Sequence, residues 1–159
     1  MDPVYLREDV GLPADAVDDV LQRRRFMELF FLTFYAANSM HKIRFWKDGL
    51  QDDFAKADRA YGELYQRYVG VPMPGIYWQT HHVLSMSDMY APSYILANIR
   101  KSEMISRLQR EFGRAWWREP RAGAWLRDEA MGPGASIDLA SFSKLDADAY
   151  VKPVVTGRR

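Results

Sequence analysis

Phe26-Met27-Glu28-Leu29-Phe30-Phe31-Leu32-Thr33-Phe34-Tyr35-Ala36-Ala37 is the stretch that decides the fold. Two apolar stripes run through it, Phe26, Phe30 and Phe34, and beside them Met27, Phe31 and Tyr35, each with a spacing of four. A spacing of four places both stripes on one wide face of a helix. With Asp15 as a candidate cap, the pattern predicts a helix from there to about Phe45. The basic run Arg23-Arg24-Arg25 reads as its solvated shoulder. The apolar stretch is twelve residues long and contains Glu28. A membrane-spanning helix needs about 20 apolar residues, so this one is expected to be a core helix rather than a span.

Outward from it the chain reads as further helix. Gly49 breaks the first pattern, and a second runs from about Gln51 to Val69, with Phe54, Ala57, Tyr61, Leu64, Tyr65 and Tyr68 three and four apart. Asp52 and Asp53 stand at its start, where the helix dipole favours a negative charge. Gly70, Pro72, Pro74 and Gly75 end it. A third helical region is expected from Tyr77 to Phe112, kinked at Pro92, because proline removes a hydrogen bond from a helix interior. Shorter pieces follow Gly113, with a turn at Met131-Gly132-Pro133-Gly134. Residues 1–14 read as an irregular lead-in and 154–159 as a frayed tail. No alternating strand pattern, internal repeat or flexible linker interrupts residues 1–159, so the expectation is one all-α domain, a helical bundle.

Composition narrows the function classes. The chain has 159 residues, 48% hydrophobic and 27% charged, which is the profile of a packed globular domain rather than a disordered one. The net charge is +1, so there is no electrostatic footprint for nucleic acid. The N-terminus lacks the basic start and apolar run of a signal peptide. There are no cysteines, which removes disulfides, thiolate nucleophiles and thiolate metal sites and suits a reducing compartment. A cytoplasmic protein with no nucleic-acid or membrane partner is expected.

The chemistry-bearing residues are sparse. The three histidines are His41, His81 and His82, and none stands in a His-Glu-x-x-His pair, so no complete metal site is expected within the chain. There is no Gly-x-Ser-x-Gly elbow and no glycine-rich phosphate loop. Asp18-Asp19 and Asp52-Asp53 stand near helix starts and read as capping groups. The informative segment is Gln79-Thr80-His81-His82, followed by Tyr90-Ala91-Pro92-Ser93-Tyr94-Ile95-Leu96-Ala97-Asn98. Tyr90 and Tyr94 share a helical face. A phenol and an imidazole aimed into one cleft can donate hydrogen bonds to a developing oxyanion. The same tyrosines equally read as half-buried core residues with their hydroxyls at the rim.

That segment resembles the C-terminal catalytic-domain region of the M32 carboxypeptidases, the carboxypeptidase Taq family, and its M3 oligopeptidase relatives. The family pattern is Gln-x-x-His, followed eight residues later by Tyr-x-Pro-Ser/Thr-Tyr-x-Leu-Gly-Asn. Gln79, His82, Tyr90, Pro92, Ser93, Tyr94, Leu96 and Asn98 fall in step with it. The resemblance extends more loosely over residues 26–153. It implies a largely helical peptidase with a deep cleft and one zinc ion held by an upstream His-Glu-x-x-His and a later glutamate. It also implies that His82, Tyr90 and Tyr94 steady the substrate and the tetrahedral intermediate, with His81, Gln79 and Asn98 as substrate contacts.

The family's zinc motif is absent from this chain, so no cofactor is expected here and zinc belongs to the complete family enzyme. By the resemblance the chain is the substrate-cleft-forming part of a zinc-metallopeptidase-like protein, inactive alone and completed by a segment or partner chain carrying His-Glu-x-x-His. The Phe26 to Tyr35 face is then expected to be exposed and to promote self-association. The alternative is a non-catalytic helical module that binds a peptide or another protein.

Overall fold

The computed structural model describes residues 2–80, 90–136 and 138–157. Every regular element among them is helical: α1 (Ala14–Lys47), α2 (Phe54–Tyr68), α3 (Tyr90–Phe112), α4 (Pro120–Trp125) and α5 (Asp148–Thr156), joined by short 3-10 and π turns. The all-α expectation is met. One domain over 1–159 is the sequence expectation; by packing, the chain divides into two compact units, Met1–Arg25 with Asn98–Arg159, and Phe26–Ala97.

The second unit carries the larger core. Phe34, Ala37 and Phe45 of α1 pack with Ala57, Tyr61, Leu64 and Tyr65 of α2, and with Leu50 and Trp78. Helix α2 begins three residues later than the pattern predicts. Asp53 adopts an extended conformation and its carboxylate accepts the Lys56 amide at 2.9 Å, satisfying a backbone donor the helix itself leaves unpaired. Phe54 and Tyr68, read as part of the buried face, are 51% and 41% exposed at its two ends. At the far end Gly70 takes a φ of 71°, which a side chain would resist, and its amide closes on the Tyr65 carbonyl at 3.1 Å.

The predicted start of the third helix is instead a 3-10 turn, Gly75–Gln79, laid across α2. Pro92 stands near the beginning of α3 as described, and the helix runs unbroken from there to Phe112. Gly75 lets the turn approach α2, because a Cβ there would lie 2.7 Å from the Asp58 carbonyl oxygen. Gly75→Ala should therefore lift the turn and cost about 1–3 kcal/mol. Urea denaturation reads this directly, and an unchanged midpoint would show that the turn yields without loss.

In the first unit both ends of the chain are more ordered than the sequence suggests. The lead-in forms a π-helical turn, Tyr5–Asp9, that buries Leu6. Asp9 accepts from Arg118 Nη2 at 2.7 Å and from Trp117 Nε1 at 3.0 Å, while Arg114 reaches Asp2 at 3.0 Å. Tyr5 meets Trp117 edge-on at 5.6 Å. The expected frayed tail is helical through Thr156, because Tyr150 and Val154, one turn apart, are both buried. Lys101 lies over the Tyr150 ring at 5.7 Å, and the Asp146 amide donates to Glu103 at 2.8 Å.

Candidate functional site

Tyr90 and Tyr94 lie on successive turns of α3 as their spacing requires. Their rings meet edge-on at 5.2 Å, and the Tyr94 hydroxyl donates to the Tyr90 oxygen at 3.4 Å. The structure adds a third phenol that sequence spacing does not reveal. Tyr35 of α1 stacks on Tyr94 with ring centroids 4.3 Å apart and planes 23° from parallel. The Tyr35 and Tyr94 hydroxyls also share a hydrogen bond. The hydrogen bond to Tyr90, followed by desolvation, pushes the Tyr94 phenol up to about 12. Burial raises Tyr35 as well. Tyr94 therefore keeps its proton at neutral pH, and it donates that proton to the Tyr90 oxygen. Tyr90 is 41% exposed, while Tyr35 and Tyr94 are half-buried. Chemically, the cluster can offer phenolic O–H groups to a carbonyl oxygen or an oxyanion. The same ring contacts hold α1 and α3 together within this unit.

The other expected site residues are placed differently. Gln79 Nε2 donates to Asp58 Oδ1 at 3.3 Å, beside Trp78 Nε1 on the same oxygen at 2.6 Å. Gln79 thus ties its own turn to α2. Asn98 belongs to the other unit, where its Oδ1 accepts from Lys101 Nζ at 2.6 Å. His81 and His82 lie outside the described residues. Among the described residues, no group of three or more histidines and carboxylates is placed to hold a metal ion. The zinc that the resemblance implies therefore has no matching ligand set among them.

A polar core on α1 escaped the sequence reading. Asn38, His41 and Lys42 are all 0% exposed, in a helix face otherwise built from Phe34, Ala37 and Phe45. Asn38 Nδ2 donates to the Phe34 carbonyl at 3.0 Å and to the Tyr65 hydroxyl, and its Oδ1 accepts from Tyr61 at 3.4 Å. Burial pushes the Tyr61 phenol up to about 12 and raises Tyr65 further. His41 is enclosed by Tyr61 at 5.0 Å, Trp78 at 5.5 Å and Phe45 at 6.3 Å, with neither ring nitrogen hydrogen-bonded. Burial and the Arg44 charge push it down to about 4. The available signal was register: Asn38, His41 and Lys42 fall three and four residues from buried apolar positions, where a solvated face would not lie.

The stretch Phe26 to Tyr35 is divided. Phe34 is buried, Phe30 and Tyr35 are half-buried, and Phe26, Met27 and Phe31 are 67%, 42% and 41% exposed. No described helix is long and apolar enough to cross a membrane. No protein-family model, curated protein or solved structure matches the chain.

Proposed function

We propose that this chain is the substrate-cleft-forming part of a cytoplasmic zinc-metallopeptidase-like protein, with Tyr90 and Tyr94 as donors to the carbonyl oxygen of a bound peptide, the Tyr94 O–H turning from the Tyr90 oxygen to the peptide when it binds. The observation that carries the reading is the hydroxyl geometry of the two tyrosines, 3.4 Å apart on one exposed edge of α3 and braced by Tyr35. Support for the peptidase class comes from the order Gln79, His82, Tyr90, Pro92, Ser93, Tyr94. Hydrolysis requires a segment or partner chain carrying His-Glu-x-x-His. This chain's own residues bind and orient the peptide and stabilise charge on its carbonyl oxygen.

Mixing tests the reading. The isolated chain should be inactive, and addition of a zinc-bearing N-terminal chain of this peptidase class should give peptidase activity. Tyr94→Phe should then lower kcat on the order of a hundredfold, the usual loss for one oxyanion donor. Restored activity that survives Tyr94→Phe undiminished would remove that role from Tyr94.

A second reading, a non-catalytic peptide- or protein-binding module, is favoured by the exposed row of Phe26, Met27 and Phe31. Peptide binding that is unaffected by a metal chelator and never converts to hydrolysis on mixing would select it. A requirement for zinc in binding would count against it.

A further inference from the structure

Within the Phe26–Ala97 unit His41 is enclosed from three sides, and the three walls are unequal. Phe45 closes it from its own helix at 6.3 Å, and Tyr61 closes it from α2 at 5.0 Å. Trp78 closes it at 5.5 Å from the Gly75–Gln79 turn. Helices α1 and α2 run for 34 and 15 residues. The turn has five, of which only Trp78 is buried. The side-chain hydrogen bonds of Trp78 and Gln79 to α2 both end on one atom, Asp58 Oδ1. A short segment with one buried residue opens more readily than two packed helices, so the turn is the wall that yields first.

We propose that the Gly75–Gln79 turn is an acid-released latch: protonation of His41 lifts the turn, with Trp78, and lets water reach the core while α1 and α2 stay folded. This does not depend on the peptide reading above. Neither ring nitrogen of His41 has a hydrogen bond, so a proton added there creates a charge without an acceptor inside the enclosure. The charged and titratable groups around it set the direction. On α1, Arg44 repels the imidazolium, and Lys42, next in sequence, is itself buried. On α2, Tyr61 keeps its proton, its phenol being pushed up to about 12 by burial, and the turn brings Tyr77 near that phenol. Asp58 of α2 attracts the imidazolium, and it is the residue whose Oδ1 holds the turn. Protonation therefore loosens the latch twice. The charge needs water, which the lifted turn admits, and it competes with Trp78 and Gln79 for Asp58. Lifting the turn also takes Trp78 away from Phe45 and Phe54, its ring neighbours at 4.9 and 5.5 Å. Acid thus exposes an aromatic surface that is closed at neutral pH.

Hydrogen exchange of the Trp78 indole N–H in the intact chain tests this, followed by NMR and taken as a ratio to the indole of Trp46, which is 48% exposed. Loss of one indole signal in Trp78→Phe identifies the reporter. With the turn lifted His41 has its ordinary pKa of 6.5, and in the closed form it is pushed down to about 4. The exchange ratio should therefore rise about tenfold per pH unit below 6.5 and level off near 4. Low urea should leave this exchange almost unchanged, because a lifted turn exposes little surface, whereas the buried α2 amides of Leu64 and Tyr65 should accelerate with urea. The ratio should stay flat with pH in both His41→Leu and His41→Phe, two variants so that one whose circular dichroism departs from the parent's does not decide the test. A ratio that fails to rise on acidification would overturn the latch. So would a rise that persists in a folded His41 variant. Trp78 exchange that follows Leu64 and Tyr65 at every urea concentration would overturn it as well, since the opening would then be that of the whole unit.

Discussion

Trp78→Ala is expected to remove about 3–5 kcal/mol of stability, the range for deleting a buried aromatic ring. Trp78 is completely buried, and three rings close around it: Phe45 at 4.9 Å, Phe54 at 5.5 Å and His41 at 5.5 Å. Its indole N–H donates to Asp58 at 2.6 Å, so the residue fastens the Gly75–Gln79 turn to α2 as well as filling the core. Small domains have only about 5–15 kcal/mol in total, so this is a large fraction of the stability available. Trp78→Phe separates the two contributions. It keeps most of the ring contacts, loses the hydrogen bond and leaves Asp58 to water or Gln79, with an expected loss of about 1–3 kcal/mol. Urea denaturation followed by circular dichroism measures both. An alanine variant within ~1 kcal/mol of the parent would show that the core does not depend on this ring.

The contrast between Trp78 and α1 shows what sequence can encode. The helical nature of residues 14–47 is legible because two apolar stripes repeat every four residues. Which residues of the two stripes are buried is not legible. A stretch apolar on most of its circumference has no polar complement to mark the solvent side, and the core selects Phe34 while Phe26 and Phe31 remain exposed. Helix α2 is more readable because its boundaries are local chemistry, the Asp53 cap and the positive φ of Gly70. The tail is least readable, because its order comes from distant partners: Lys101 over Tyr150, and Glu103 on the Asp146 amide.

The same division runs through the candidate site. The Tyr90–Tyr94 pair follows from an i, i+4 spacing and is visible in the sequence. Tyr35 reaches Tyr94 only through the packing of α1 on α3, and no local pattern announces it. Buried polar residues are hidden for a related reason. The register of Asn38 and His41 points inward, but the rings from α2 and the Gly75–Gln79 turn that enclose them are not local in sequence.

His41 carries the second large expectation, a loss of stability as pH falls from 6.5 towards 4. Burial, with help from the Arg44 charge, pushes the imidazole down to about 4 from its ordinary 6.5, and Asp58 opposes the shift only in part. Between those two values the unfolded chain takes up a proton that the folded chain does not. Stability is therefore complete above pH 6.5, declines through the interval, and is fully lost as a contribution below about pH 4. Each pH unit is worth about 1.4 kcal/mol, which bounds the total at about 3–4 kcal/mol. His41→Leu should flatten this part of the profile. At pH 7 it should cost little, because neither ring nitrogen has a hydrogen bond to lose and the desolvation of an unpaired polar ring is relieved. Asp9, one of several carboxylates held down by an arginine, acts in a lower window. Arg118 holds the Asp9 carboxyl below its ordinary 3.8, so that contribution disappears only after His41 has titrated. Urea midpoints of the parent and His41→Leu, measured at intervals from pH 7.5 to 4, should diverge steadily on acidification. Parallel profiles would assign the acid sensitivity to groups other than His41.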